Sequence, residues 1–162
     1  MAFRPEGGRS ASMPSAWTQN HYHAVFSTKQ REAIITPEIE ERLYPFIGGI
    51  VRDLRCTLLV LNDMADHIHL LVRYRADLAH YDLLRHIKAR SSKWINEHSP
   101  HLGHFSWQEG YGGFTVNASS VPAVQDYITR QKEHHRRQDY QTEFMELRHR
   151  HGIQYDETDV FK

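Results

Sequence analysis

Two histidines separated by a single residue, in the β-forming run Asp66-His67-Ile68-His69-Leu70-Leu71-Val72, are the side chains here best suited to chemistry. A strand sends alternate side chains to opposite faces, so Ile68, Leu70 and Val72 point one way and His67 and His69 the other. Two imidazoles a few ångströms apart have the geometry to share one metal ion and make half of a site. The same spacing also fits two polar residues on a half-exposed strand. Asp66 is of the type that orients a histidine ligand. Further along, Val121, Val124, Ile128 and His135 form an inward helical stripe, and Tyr127 and Gln131, four residues apart, fall within or beside it. An inward glutamine needs a partner. An ion held by the histidines would be one, and Tyr127 would then project beside it. The plain alternative is a core tyrosine with its hydroxyl at the rim and a hydrated amide.

The elements that must position these residues can be read from pattern. Trp17 to Thr28 alternates as a strand, with Tyr22, Ala24 and Phe26 on one face and His21, His23 and Val25 on the other. Thr36 is an N-cap, Pro37 the first helical residue, and Glu38, Glu40 and Glu41 favour the positive helix end, which predicts a helix to about Leu54. Thr57–Asn62 and Ile68–Tyr74 form a hairpin around Asp63-Met64-Ala65-Asp66. Leu78 to Glu97 is an amphipathic helix with Leu84, Ile87, Ser91, Trp94 and Ile95 on one side and Arg85, Lys88, Arg90 and Lys93 on the rest. Trp107–Asn117 is a last strand whose Gly110, Gly112 and Gly113 imply a bulge or a close backbone approach. Ser120 caps a helix expected to run through Tyr127 and Gln131 to about Arg137, and a final helix from Thr142 to His151 ends at Gly152. This order predicts an α+β, ferredoxin-like (split βαβ, RRM-like) antiparallel sheet with helices on one face, the other face free for a site, and a C-terminal catalytic helix.

The 162 residues suit one domain, expected over residues 16–162 after a flexible tail over residues 1–15. Lysine plus arginine and aspartate plus glutamate both number 20, so any basic surface must come from local segregation rather than net charge. The single cysteine, Cys56, excludes an internal disulfide and reads as a buried structural thiol. No apolar run approaches the ~20 residues of a membrane helix, so a soluble cytoplasmic protein is expected.

Three ordered motifs together resemble the single-tyrosine HUH transposases of small bacterial insertion sequences and their relatives associated with repeated palindromes. They are Asp66-His67-Ile68-His69-Leu70-Leu71, Trp107-Gln108-Glu109-Gly110-Tyr111-Gly112-Gly113-Phe114, and Tyr127-Ile128-Thr129-Arg130-Gln131 followed by Glu133-His134-His135. The resemblance implies that His67, His69 and Gln131 bind a divalent metal, Mg²⁺ with Mn²⁺ as substitute, and that Tyr127 is the nucleophile. It implies cleavage and rejoining of single-stranded DNA near hairpins through a 5′-phosphotyrosine, without a nucleotide cofactor, by a homodimer that combines the histidines of one subunit with the tyrosine helix of the other.

For DNA contact, Arg85, Lys88, Arg90 and Lys93 come first, then Arg130, Lys132, Arg136 and Arg137, and for each a solvated helix face is the alternative. Asp66, His134 and His135 are placed behind the metal ligands. The rival functions are a rolling-circle-type nickase of the same chemistry and a domesticated, non-catalytic hairpin-binding protein.

Overall fold

The structure is a computed structural model and describes residues 17–134 and 139–154. The expected tail over residues 1–15 lies outside the described residues, as do His135, Arg136 and Arg137. Strand β1 (Asn20–Ser27) leads into helix α1 (Pro37–Asp53), the hairpin of β2 (Thr57–Met64) and β3 (His67–Tyr74), helix α2 (His80–His98), and strand β4 (Gly112–Val116). Helices α3 (Val121–Thr129), α4 (Gln131–His134) and α5 (Tyr140–Arg150) follow. The sheet is antiparallel in the order β2-β3-β1-β4, as expected of a split βαβ fold.

Alternation divides the sheet cleanly. Tyr22, Ala24 and Phe26 of β1 and Ile68, Leu70 and Val72 of β3 join Leu43, Ile47 and Ile50 of α1 and Leu84, Ile87 and Ile95 of α2 in one buried cluster. Removing this much apolar surface from water is the main stabilising contribution, at about 25 cal/mol per Å². Helix α1 begins as its sequence predicts: the Thr36 hydroxyl accepts from the Ile39 N–H at 3.4 Å, with Pro37 at the first position.

The opposite face carries His21, His23, His67 and His69, and it is not left open. Val25 and Phe114 there pack with Tyr140, Phe144 and Leu147 of α5, a second and smaller apolar cluster. Gly112 and Gly113 permit the close approach their position implied. A Cβ on Gly112 would meet Phe144 and Val25, and one on Gly113 would overlap the Tyr22 phenol.

Three expectations shift. The hairpin turn is tighter than predicted, since β2 continues to Met64 and pairs it with His67. The last strand is shorter: Trp107 makes only an isolated bridge to Thr28, and β4 starts at Gly112. Helix α3 does not run on to Arg137 but stops at Thr129, so Tyr127 and Gln131 belong to separate helices. The reason is the Asn62 side chain of β2, whose amide donates to the Ile128 carbonyl at 2.9 Å and the Thr129 carbonyl at 3.0 Å. These acceptors are thereby satisfied at the helix end, and the chain turns at Arg130 before α4 begins.

Candidate active site

His67 and His69 project from β3 into the layer between the sheet and the C-terminal helices, and both are fully buried. Each ring is held by its Nδ1. Asp66 Oδ1 lies 2.7 Å from His67 Nδ1, and His23 Nε2 lies 3.1 Å from His69 Nδ1. With Nδ1 occupied in this way, both rings turn Nε2 toward the same point. Burial, followed by the neighbouring His69, pushes His23 down to about 3, so it is a neutral imidazole at ordinary pH and has an acceptor nitrogen for the His69 Nδ1–H.

The third wall is Glu143 of α5, a residue the sequence reading did not single out. Its Oε2 lies 3.4 Å from His69 Nε2 and 3.7 Å from His67 Nε2. Its Oε1 accepts from the Tyr127 hydroxyl in a short hydrogen bond and from Gln131 Nε2 at 2.9 Å. A signal existed. Tyr140, Glu143, Phe144 and Leu147 occupy positions i, i+3, i+4 and i+7 of α5, an inward stripe with a carboxylate in it, and all four are buried. A buried carboxylate demands compensation by cations or hydrogen bonds.

Tyr127 stands over the histidines, its ring centroid 6.1 Å from that of His69 and 6.2 Å from that of His23. Burial, followed by the Glu143 charge, holds its phenol well above the ordinary tyrosine range, so in this arrangement it carries its proton. Gln131 is fully buried; its Oε1 and the Nε2 of His69 have no hydrogen-bond partner among the described residues.

These orphaned atoms test whether the site fits a cation. His67, His69 and Glu143 each offer a ligand atom, all within 4.8 Å of one another. Ligand atoms about 2.1 Å from a shared ion stand roughly 3–3.5 Å apart, close to the separations seen. Two imidazole nitrogens and one carboxylate oxygen form a donor set suited to a divalent metal, and a positive charge there would compensate the buried carboxylate and the orphaned His69 Nε2, while Gln131 meets the same carboxylate through its amide nitrogen. The residues fit the group.

The predicted basic positions behave differently. Lys88 is not a free surface cation: its Nζ donates to the carbonyls of Gln108, Glu109 and Gly110 at 2.7, 2.9 and 3.0 Å, and burial lowers it to about 8. Arg85 pairs with Asp82, Arg90 with Asp53, Lys93 with Glu97, Arg130 with Asp126 and Lys132 with Glu40. Five of the six are exposed but already neutralised nearby. His134 lies in α4 and nothing is described of its side chain; His135 is outside the described residues.

The four-stranded antiparallel sheet with its helices is a fold shared with two solved structures. A Deinococcus radiodurans protein solved as a candidate transposase superposes with a TM-score of 0.60 at 24% identity, over 78% of this chain and 97% of that one. A REP-associated tyrosine transposase bound to a REP hairpin superposes with a TM-score of 0.58 at 16% identity, over 77% of this chain and 74% of that one. The ISDra2 transposase TnpA of Deinococcus radiodurans is 24% identical over 120 residues, which span 71% of this chain and 86% of that protein. The family model for IS200-like transposases matches residues 16–131, and the chain belongs to that family. Helix α5 and Glu143 lie beyond the matched region.

Proposed function

We propose that the protein cuts and rejoins single-stranded DNA near hairpins, with Tyr127 as nucleophile and His67, His69, Gln131 and Glu143 as holders of a divalent cation. The observation that carries this reading is the convergence, within one chain, of two buried imidazole Nε2 atoms on a carboxylate that also accepts from the Tyr127 hydroxyl and from the Gln131 amide nitrogen. Mg²⁺ is the expected ion, with Mn²⁺ as a substitute. When bound, the cation would stabilise charge developing on the scissile phosphate.

The chain's own residues supply the rest. Glu143 Oε1 fixes the Tyr127 hydroxyl and is its nearest acceptor for a proton. The Tyr127 oxygen forms a bond to phosphorus as the bond to the 3′ oxygen breaks, leaving a 5′-phosphotyrosine and a 3′-hydroxyl that takes up a proton. The phosphodiester energy is kept in that link, so rejoining runs by the reverse attack. Asp66 and His23 hold the imidazoles in place, and the dry surroundings strengthen every charge interaction in the site.

The hairpin in the REP-associated relative supports hairpin DNA as the substrate class. A homodimer is proposed from the resemblance, and light scattering of the purified chain tests it. Incubation with stem-loop DNA from the flanks of the gene, with EDTA or with Mg²⁺ or Mn²⁺, tests the chemistry. A metal-dependent protein–DNA adduct absent in His67→Ala is expected; DNA binding without an adduct across candidate hairpins would favour a non-catalytic hairpin-binding protein.

A further inference from the structure

A cavity of about 520 Å³, two of whose lining residues touch or pair with His67, is used by none of the roles above. Two of its lining residues connect it to the site. Ser27 pairs with His67 across β1 and β3, and the Tyr140 ring stacks at a tilt on His67 with centroids 4.5 Å apart. The volume lies in the range of small-molecule sites and accommodates a nucleotide.

Its chemistry is that of a nucleotide pocket. On one wall stands Gln108, whose Oε1 accepts from the Ser27 N–H at 3.1 Å, from the Ser27 hydroxyl in a short bond, and from the Tyr140 hydroxyl at 3.5 Å. Three donors converging on one oxygen fix the orientation of the amide, and its Nε2 donates no hydrogen bond among the described residues. A side-chain amide held in this way presents donors to the edge of a base. Trp107 and Tyr140 provide apolar wall, and the exposed Glu109 also lines the cavity, where a carboxylate can accept from an exocyclic amine but repels phosphate.

The opposite wall is the turn Lys29-Gln30-Arg31. Gln30 and Arg31 both adopt φ of 56°, two consecutive non-glycine residues in the left-handed region. Such backbone persists only where the surroundings impose it, and here the Lys29 N–H bonds to the Ser106 carbonyl at 2.9 Å. The turn thereby places two cationic residues, Lys29 and Arg31, among those that line the cavity. Lys29 is exposed and has no ion pair among the described residues, in contrast to the neutralised cations of α2 and α3.

We propose that this cavity receives one nucleotide of the single-stranded DNA next to the scissile phosphate, with Gln108 reading the base edge and Lys29 holding the backbone outside. The inference rests on the DNA-cutting reading for its choice of ligand, but it is a claim about binding and is testable without catalysis.

The test is fluorescence anisotropy in EDTA with the Tyr127→Phe protein, so that no cleavage contributes. The probe is a stem-loop oligonucleotide from the flank of the gene with its single-stranded arm made abasic at one position at a time. One position adjacent to the cut is expected to lose about tenfold in affinity, the scale of a well-placed base contact. In Gln108→Glu, which keeps the oxygen facing Ser27 but removes the amide donors, that position-specific loss should disappear. Lys29→Ala, at an exposed site that leaves folding intact, should weaken binding at all positions and reduce the salt slope by roughly 0.7, one single-strand phosphate contact. A thermal melt confirms that each variant is folded. Uniform sensitivity along the arm, or the same abasic position standing out in Gln108→Glu, would overturn the pocket while leaving the Tyr127 chemistry untouched. An absent covalent adduct with a retained abasic position would sink the chemistry and leave the pocket.

Discussion

The carboxylate of Glu143 lies 3.4 Å from the Nε2 of His69, so a residue of the last described helix completes a site begun on the third strand. Because the other oxygen of the same carboxylate accepts from the Tyr127 hydroxyl, one side chain couples the proposed metal-ligating cluster to the proposed nucleophile. Glu143→Gln keeps the size of the side chain and removes its charge. Mn²⁺ affinity by calorimetry is expected to fall by at least about 10-fold, the scale on which metal sites respond to loss of supporting groups. Unchanged affinity would leave Glu143 as a partner of Tyr127 alone.

The ring-orienting contacts make a separate prediction. Asp66→Asn weakens the contact that fixes His67 Nδ1, and His23→Ala removes the one that fixes His69 Nδ1. Each should lower Mn²⁺ affinity about 10–100-fold while both ligands remain present. Calorimetry on the two variants checks it, and affinities equal to wild type would show that packing alone orients the rings.

Asp63 gives the fold a pH dependence. Burial raises its carboxyl to about 6, against about 3.9 for a free aspartate. The folded chain therefore holds a proton that the unfolded chain has released, so the stability contribution is full below about pH 4 and is lost as pH rises through about 6. Tyr44 donates to Asp63 at 2.6 Å, a bond an asparagine oxygen can also accept. Relative to wild type, Asp63→Asn should gain roughly 2–3 kcal/mol on going from pH 4 to pH 7. Urea denaturation at the two pH values measures it, and a constant difference would contradict the assignment.

Lys88 distinguishes support from DNA contact. Lys88→Met leaves three carbonyls of the 108–110 segment without their shared donor and should cost about 2 kcal/mol of stability. The salt slope of DNA binding should not change, because this ammonium is already committed inside the protein. A slope reduced by about one phosphate contact would restore Lys88 to the DNA interface.

What the sequence revealed follows the range of each interaction. The placement of His67 and His69 on one face depends only on the two-residue period of a strand, and Asp66 is adjacent, so both were legible locally. The split βαβ order came from caps and periodicity in the same way. The end of α3 was not legible, because the group that stops it is the Asn62 amide, which arrives from β2. Glu143 was missed because α5 carries only a thin apolar stripe, and its inward face becomes meaningful once the sheet surface beneath it is known to hold histidines. His23 was on the correct face by alternation, yet its contact with His69 depends on the register that pairs Val25 with His69. The partners of the basic residues were hidden for the same reason: the sequence shows the charge, whereas Arg90 finds Asp53 and Lys88 finds backbone carbonyls only through tertiary packing.

The proposed nucleophile has a rival within the structure. Tyr140 also lies against His67, with ring centroids 4.5 Å apart, whereas Tyr127 is the tyrosine whose hydroxyl donates to Glu143. The most direct measurement is protease digestion and mass spectrometry of the covalent DNA complex formed in Mn²⁺. With Tyr127 as the attacking residue, a nucleotide remnant is expected on the peptide containing Tyr127 and none in Tyr127→Phe; a remnant on Tyr140, or an adduct that survives Tyr127→Phe, would contradict that role.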